Sequence, residues 1–183
     1  MTLEADIGIL NLIQLNLRCE FLDVAMPLIT KLGDGGALWI LCSFLLFLFP
    51  QTRRSGAAIA VGILLELLCC NALLKPFVGR PRPCDVNSAV QLLISKPTDF
   101  SFPSGHTGAA FATVSALYFS KNRFWIPTLV ISLWISFSRL YLYVHYPSDV
   151  LAGALLGIML GWIGTLFIRT AEKMIRKRQN RTR

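Results

Sequence analysis

Five long apolar runs constrain the fold more than any other feature of this sequence. They cover approximately residues 36–50, 56–77, 105–120, 124–143 and 148–170. A helix needs roughly 20 apolar residues to cross a bilayer, and fewer where flanking side chains reach the headgroups. Only 15% of the residues are charged, against about 25% in a typical soluble domain. The sequence therefore predicts an all-α integral-membrane helical bundle with five to six transmembrane helices, the sixth coming from the N-terminal segment.

The N-terminal segment has a weaker apolar pattern than the five runs. Ile7, Leu10, Ile13 and Leu17 recur at helical spacing, as in an amphipathic helix that lies along the membrane surface. The next stretch is interrupted by polar residues and proline, so whether residues 7–32 span the bilayer or lie on it is open. We expect three regions, listed here: an interfacial segment (1–32), a transmembrane bundle (33–172) and a basic tail (173–183).

The net charge of +8 is unevenly distributed along the chain. Basic residues at 53–54, 121–123 and 169–183 fall on one side of the predicted bundle. Such residues mark the cytoplasmic side of a membrane protein. We therefore expect a multi-pass protein of the cell membrane whose C-terminus is cytoplasmic. A basic tail directly behind an apolar helix favours attraction to anionic lipid over nucleic-acid binding.

Three short segments at the opposite, outer ends of the helices contain most of the reactive side chains. The first provides Lys75, Arg80 and Arg82; the second Ser104, Gly105 and His106; the third Arg139, His145 and Asp149. The predicted topology brings all three segments to one face. Basic residues normally concentrate on the cytoplasmic side of a membrane protein. Their number on the predicted outer face is therefore contrary to this rule unless they bind an anion.

These residue types suit phosphate chemistry. Guanidinium groups bind phosphate oxygens in pairs, and the start of a helix presents free backbone N–H groups to an anion. His106 and His145 are the two histidines of the chain; one could attack phosphorus while the other donates a proton to the leaving oxygen. Asp149 follows His145 by four residues and could fix its tautomer. No Cys/His zinc spacing is present, and we expect neither a metal nor another cofactor.

The three segments resemble the signature of the type-2 phosphatidic acid phosphatase superfamily. The matching motifs are Lys75-x6-Arg82-Pro83, Pro103-Ser104-Gly105-His106 and Ser138-Arg139-x5-His145-x3-Asp149. All three match without a departure, and the resemblance covers roughly residues 33–170. It implies a helical core similar to that of vanadium haloperoxidases, which are soluble.

The resemblance also implies a role for each residue. His145 would be the nucleophile and form a phosphohistidine, with Asp149 orienting it. His106 would protonate the leaving group and then activate water. The substrate phosphate would be held by Lys75, Arg82, Ser104, Gly105 and Arg139, without a metal ion.

Several residues outside the signature have open interpretations. Arg80 is either an accessory ligand for a second phosphate or a loop charge. Glu66 lies in the middle of a predicted span, where an ionisable group is costly; we favour a hydrogen bond to a neighbouring helix over substrate handling. Loop 84–102 is either an amphipathic lid or packing on the bundle top. Four glycines of the last span favour close helix packing, within the bundle or in a homodimer: Gly153, Gly157, Gly161 and Gly164.

The sequence thus predicts a lipid phosphatase with its site on the extracytoplasmic face. We favour undecaprenyl diphosphate as substrate, with phosphatidylglycerophosphate, phosphatidic acid and lipid A phosphates as alternatives. The motifs recognise phosphate and do not select the lipid. A different class is a non-catalytic membrane protein that binds a lipid or anion, which would not need a histidine pair. Haloperoxidase chemistry is disfavoured because the chain is a membrane bundle.

Overall fold

The computed structural model describes residues 3–181 and contains helices but no strands in that range. The helices are α1 (Leu3–Asn16), α2 (Glu20–Lys31), α3 (Ala37–Leu48), α4 (Arg53–Leu67), α5 (Lys75–Val78), α6 (Pro83–Val86), α7 (Gly105–Phe119), α8 (Trp125–Tyr141) and α9 (Pro147–Arg181). A 3-10 turn at Asp34–Gly36 precedes α3, and a π-helix at Leu68–Leu74 connects α4 to α5. The predicted all-α fold is confirmed. Residues 1, 2, 182 and 183 of the predicted terminal regions lie outside the described residues.

The predicted number of spans is confirmed in part. Within residues 3–181, two helical stretches are long and apolar enough to cross a membrane, Arg53–Val86 and Pro147–Asn180. The pair Glu20–Lys31 and Asp34–Leu48 also qualifies if it is one span bent by 45°. Helices α7 and α8 have 15 and 17 residues, or about 22 and 26 Å at 1.5 Å per residue. They are therefore short for the roughly 30 Å hydrocarbon core.

Helix α9 packs closely against α4 and α7 through its four glycines. A Cβ atom at Gly153 would lie 2.5 Å from the Ser104 carbonyl oxygen, and one at Gly164 would lie 2.7 Å from that of Ala58. Gly157 and Gly161 contact the backbone of α7 in the same way. The stripe therefore serves packing within the chain. The homodimer stays a prediction, and these glycines do not supply its surface.

The N-terminal helices pack at the end of the bundle where α8 ends and α9 begins, mainly against α8. Ile13 and Met26 are buried with Tyr141 and Val144, while Leu10 is buried with the tyrosines of the turn after α8. Three of the four apolar positions that predicted a membrane-surface helix, Ile7, Leu10 and Ile13, thus contact protein, whereas Leu17 is exposed. The predicted boundary at 32/33 falls at the bend between α2 and α3.

The predicted basic tail continues helix α9 as far as Arg181. Lysine, arginine and glutamine are good helix formers, and no proline or glycine interrupts residues 173–181. Along the bundle, large apolar side chains such as Phe44, Phe77 and Leu151 are exposed outward. An extensive apolar surface of this kind is expected where lipid is the solvent.

The packing of α9 against α4 predicts a stability difference between two glycines. Gly164→Val should lower the free energy of unfolding by about 1–3 kcal/mol, because the new side chain would overlap backbone atoms of α4. Gly8→Ala in α1 has open space at its Cβ position, and should leave stability unchanged or raise it slightly. Thermal unfolding of the detergent-solubilised variants measures both. Equal melting temperatures for Gly164→Val and the unmodified protein would contradict this packing.

Candidate active site

The three sequence motifs meet around one cavity at the end of the bundle where α7 and α9 begin. Its volume is about 550 Å³. The motif residues on its wall are Lys75, Arg82, Gly105, His106, Arg139 and His145. Residues 93–99 of the loop between α6 and α7 complete the wall. The convergence predicted from topology is therefore present in the structure, and the loop lies over the cavity.

His145 is held in a tight turn between α8 and α9. Tyr143 adopts a positive φ of 59°, and the His145 amide donates to the Arg139 carbonyl at 3.3 Å. The ring's Nε2 lies 3.1 Å from Arg82 Nη1. A guanidinium group can only donate, so Nε2 carries the lone pair and Nδ1 the proton. The ring therefore presents its lone pair on the side of the buried arginine.

Asp149 lies behind the ring, in the first turn of α9. Its Oδ2 is 3.5 Å from His145 Nδ1 and accepts hydrogen bonds from Ser101 Oγ at 2.5 Å and the Tyr146 amide at 2.9 Å. His145 Nδ1 has no closer hydrogen-bond partner among residues 3–181. Burial, and the nearby guanidinium groups, lower the pKa of His145 against the opposing effect of Asp149. The imidazole is consequently neutral near pH 7.

Lys75 and Arg82 are buried cations that share one carboxylate, Asp99. Lys75 Nζ forms an ion pair with Asp99 Oδ2, and Arg82 Nη2 donates to Asp99 Oδ1 at 2.7 Å. Arg82 also donates to the Val144 carbonyl at 2.7 Å. Partial burial alone would raise the pKa of Asp99. The two neighbouring cations outweigh this effect and hold the pKa of Asp99 well below its usual range. Asp99 is half-exposed, on the cavity, and was not identified from the sequence.

The remaining cation, Arg139, faces the cavity from α8. Its Nη1 donates to Thr30 Oγ1 of α2 at 2.6 Å. Its Nε is buried and has no hydrogen-bond partner within the described part of the chain. Across the cavity, His106 Nε2 lies 2.8 Å from Asp34 Oδ1 in the turn before α3. Both partners, Thr30 and Asp34, were missed by the sequence motifs.

The start of α7 is fixed below the cavity. Ser104 is buried; its amide donates to the Asp149 carbonyl at 3.1 Å, and its hydroxyl lies 3.1 Å from that of Thr107. Helix α7 begins at Gly105, so its positive dipole end faces the anion-binding side. A Cβ atom at Gly105 would meet Lys75 Nζ at 3.9 Å, an ordinary contact. The glycine therefore keeps space open beside Lys75 and does not relieve an overlap.

Arg80 is bound elsewhere and does not reach the cavity. Its Nη1 donates to Asp149 Oδ1 at 2.6 Å and to Ser148 Oγ at 2.7 Å, and its Nη2 donates to Asp6 Oδ2 at 2.8 Å. Its guanidinium carbon also lies 3.9 Å from the centre of the Tyr146 ring. Arg80 is held by these partners in the structure, and the accessory phosphate role, one of its two open interpretations, stays a prediction. Arg80 instead connects α1 to the carboxylate behind His145.

Glu66 is buried between α4 and α7. Its side chain packs against Gly108, where any Cβ atom would overlap it. Its Oε1 has no hydrogen-bond partner within the described residues, and the hydrogen bond to a neighbouring helix that we favoured for Glu66 stays a prediction. Glu66 also lines a smaller cavity of about 210 Å³ that reaches His106 and Lys75. No cluster of three or more His, Cys, Asp or Glu side chains suited to a metal ion occurs in the same range.

Comparison with known proteins identifies the family. The profile of the PAP2 superfamily matches residues 55–173. The chain belongs to the PAP2 superfamily. It is 34% identical over 137 residues to an undecaprenyl-diphosphatase of Sulfolobus acidocaldarius, and the match covers 72% of this chain and 63% of that protein. It is 34% identical over 133 residues to a lipid A 4'-phosphatase of Bacteroides thetaiotaomicron, and the match covers 68% of this chain and 57% of that protein.

A solved membrane structure has the same fold. It is a transmembrane PAP2-type phosphatidylglycerolphosphate phosphatase from Bacillus subtilis, with a TM-score of 0.74, 28% identity, and 91% of this chain and 86% of that chain covered. The match to the two relatives above spans less than two thirds of their length. Residues 3–54, which include Asp6, Thr30 and Asp34, lie before the matched family segment.

The Arg80 ion pairs predict a large loss of stability on truncation. Arg80→Ala would leave the buried carboxylates of Asp6 and Asp149 without their cation. Removing one partner of a buried ion pair costs about 3–5 kcal/mol. Denaturant unfolding in mixed micelles measures this loss. The matched control is Lys96→Ala, which removes only an exposed partner of Asp85 and should leave the free energy of unfolding nearly unchanged.

Proposed function

We propose that this protein is a membrane lipid phosphatase that works without a metal ion and through a phosphohistidine. The observation that carries the proposal is the position of two histidines on one cavity with three buried or nearly buried cations. The Nε2 lone pair of His145 faces Arg82, whose Nη1 lies 3.1 Å away. A phosphate whose oxygens took over that guanidinium would bring its phosphorus next to Nε2, which suits nucleophilic attack. Membership of a superfamily whose related proteins are named as lipid phosphatases supports the same reaction.

The proposed reaction has two steps. In the first, His145 Nε2 bonds to phosphorus, the bond from phosphorus to the lipid oxygen breaks, and His106 gives its proton to that oxygen. In the second, His106 takes a proton from water, the water oxygen bonds to phosphorus, and the P–N bond to His145 breaks. Inorganic phosphate leaves, and both histidines return to their starting protonation states.

The cations stabilise the negative charge of both transition states. Lys75 and Arg82 have Asp99 as their counter-ion in the structure, and a phosphate group would replace it. The Nε of Arg139 is a buried donor without a hydrogen-bond partner in the described residues. A phosphate oxygen that accepted its hydrogen bond would offset the cost of removing this donor from water. The first amides of α7, with Ser104 and Gly105, add donors on the opposite side. Asp149 keeps the proton of His145 on Nδ1.

Undecaprenyl diphosphate is the substrate that we propose, as for the named Sulfolobus relative. Phosphatidylglycerophosphate, phosphatidic acid and lipid A phosphates are the alternatives. The names of similar proteins span three of these lipids, and the cavity residues recognise the phosphate that all of them share. The loop residues Leu93 and Ile94 on the cavity wall are the apolar surface available to a lipid tail.

An extracytoplasmic site is part of the proposal. Arg54, Lys121 and Arg169 share a pocket at the end of α7 opposite to His106, about 22 Å away along 15 residues. Basic residues gather at cytoplasmic ends, so the cavity would face outward and the end of α9 inward.

The nucleophile assignment predicts a large and specific loss of activity. His145→Ala should reduce phosphate release by at least about a thousandfold, because no other group can form the covalent intermediate. The measurement is phosphate release from the solubilised protein, with EDTA present, on undecaprenyl diphosphate and the three alternative lipids. Acid-labile phosphoenzyme trapped by rapid quenching should appear with the unmodified protein and be lost in His145→Ala. Equal rates for the two proteins would instead indicate a non-catalytic anion-binding protein.

Competition between Asp99 and phosphate predicts that Asp99→Asn strengthens product inhibition. Asparagine keeps a hydrogen-bond acceptor for Arg82 but removes the negative charge that neutralises Lys75 and Arg82. The inhibition constant for inorganic phosphate should fall about tenfold, equivalent to roughly 1.4 kcal/mol. Glu172→Gln is the matched control, since it makes the same charge change beside the exposed Arg54, in the pocket at the other end of the bundle, and should leave the constant unchanged. Weaker inhibition in Asp99→Asn would contradict the competition.

A further inference from the structure

Each of the two cavity histidines has its own carboxylate, but only one of these belongs to the family signature. Asp149 serves His145, four residues earlier in the chain. His106 instead contacts Asp34, at 2.8 Å between Nε2 and Oδ1. Asp34 precedes the matched family segment, and its side chain is mostly exposed, so the contact does not arise from burial in the core.

The turn that contains Asp34 is closely fitted to His106. A Cβ atom at Gly33 would lie 2.7 Å from His106 Cδ2, so only glycine allows the turn to approach the ring this closely. Gly35 and Gly36 have φ angles of 57° and 70°, values that favour glycine. Thr30, one helical turn before, binds Arg139. The whole turn is therefore anchored on the cavity, and Asp34 is held against the ring.

The charges around His106 show why the carboxylate matters. Arg139 from α8 and Lys75 from α5 face the ring with positive charge, and Asp34 faces it with negative charge. Asp99 lies on the same cavity wall, but Lys75 and Arg82 bind it. An imidazolium beside two cations is disfavoured. Asp34 is the group that offsets this repulsion through a direct hydrogen bond.

We infer that Asp34 is a positioning residue for His106: it accepts the Nε2 proton in a hydrogen bond, so that Nδ1 exchanges the proton of both reaction steps. In the first step Nδ1–H gives its proton to the lipid oxygen, and the ring becomes neutral. In the second step Nδ1 takes a proton from water, and Asp34 stabilises the imidazolium that forms. Asp34 itself stays ionised throughout. The inference rests on the proposed function and adds a second His–Asp pair to the site.

The first test is kinetic. Asp34→Asn should lower kcat about 10- to 100-fold with little change in KM, because the lost interaction assists proton transfer and does not bind substrate. Without the negative charge the imidazolium loses its proton more easily, so the alkaline limb of kcat/KM should move to lower pH by about one unit. Asp34→Glu keeps the negative charge, and the exposed turn has room for the longer side chain. This variant should therefore keep most of kcat and the original pH position of the alkaline limb.

The matched control is Asp23→Asn. Asp23 accepts a hydrogen bond from Tyr141 at 2.6 Å and helps to hold α2 on α8, but it is not on the cavity wall. It should leave the pH profile unchanged. If Asp34→Asn keeps the original kcat and alkaline limb, the inference is overturned. It is also overturned if both variants lose activity equally with unshifted pH profiles, since Asp34 would then only help to hold the segment in place.

The second test does not depend on turnover. His106 and His145 are the two histidines of the chain, so ¹⁵N-histidine labelling gives two ring systems, and His145→Gln assigns them. The His106 signal should show a proton on Nε2, and its titration midpoint should fall in Asp34→Asn but not in Asp23→Asn. An unchanged midpoint would overturn the inference. An unmodified protein that releases no phosphate from any tested lipid would instead overturn the proposed function, while the titration still decides the role of Asp34.

Discussion

The cavity end of this protein depends on holding three cations in a nearly inaccessible position next to a membrane. Burying an unpaired charge costs several kcal/mol, and Lys75, Arg82 and Arg139 are all nearly inaccessible. Lys75 and Arg82 share the carboxylate of Asp99, and Arg82 also donates to the Val144 carbonyl. Arg139 donates to the Thr30 hydroxyl, while its Nε has no partner among the described residues. The loops and N-terminal helices take their positions because they supply these groups.

This electrostatic requirement explains why the site extends beyond the family signature. The signature provides the cations and the histidines, whereas much of the matching negative charge comes from outside it. Asp6 reaches Arg80 from α1, and Asp34 reaches His106 from the turn before α3. The first two helices are therefore part of the catalytic end of the bundle. Their apolar residues pack on α8, and their carboxylates balance the charge.

The sequence predicted the helices and the motif cavity well, because both leave local patterns. The apolar run 105–120 corresponds to α7 at Gly105–Phe119, and 124–143 to α8 at Trp125–Tyr141. The convergence of the motifs followed from the alternation of spans. Asp34 and Asp99 could not be predicted from the sequence. Asp34 contacts His106, 72 residues away, and Asp99 contacts Lys75, 24 residues away, and no periodic sequence pattern connects either pair. The ion pairs of Arg80 were missed for the same reason.

The glycine contacts of α9 give the two sides of the cavity different mechanical properties. Helices α7 and α9 touch backbone to backbone, and the Ser104 amide bonds to the Asp149 carbonyl, so the start of α7, with His106, is fixed closely against the start of α9, with Asp149. The opposite wall consists of α2, the turn at Asp34 and the loop before α7, which are held by side-chain contacts to the cations. Those contacts are the ones that an incoming anion weakens. The two sides of the cavity are therefore held by different kinds of contact: backbone packing on one side, and on the other polar contacts to the cations for which a bound anion would compete.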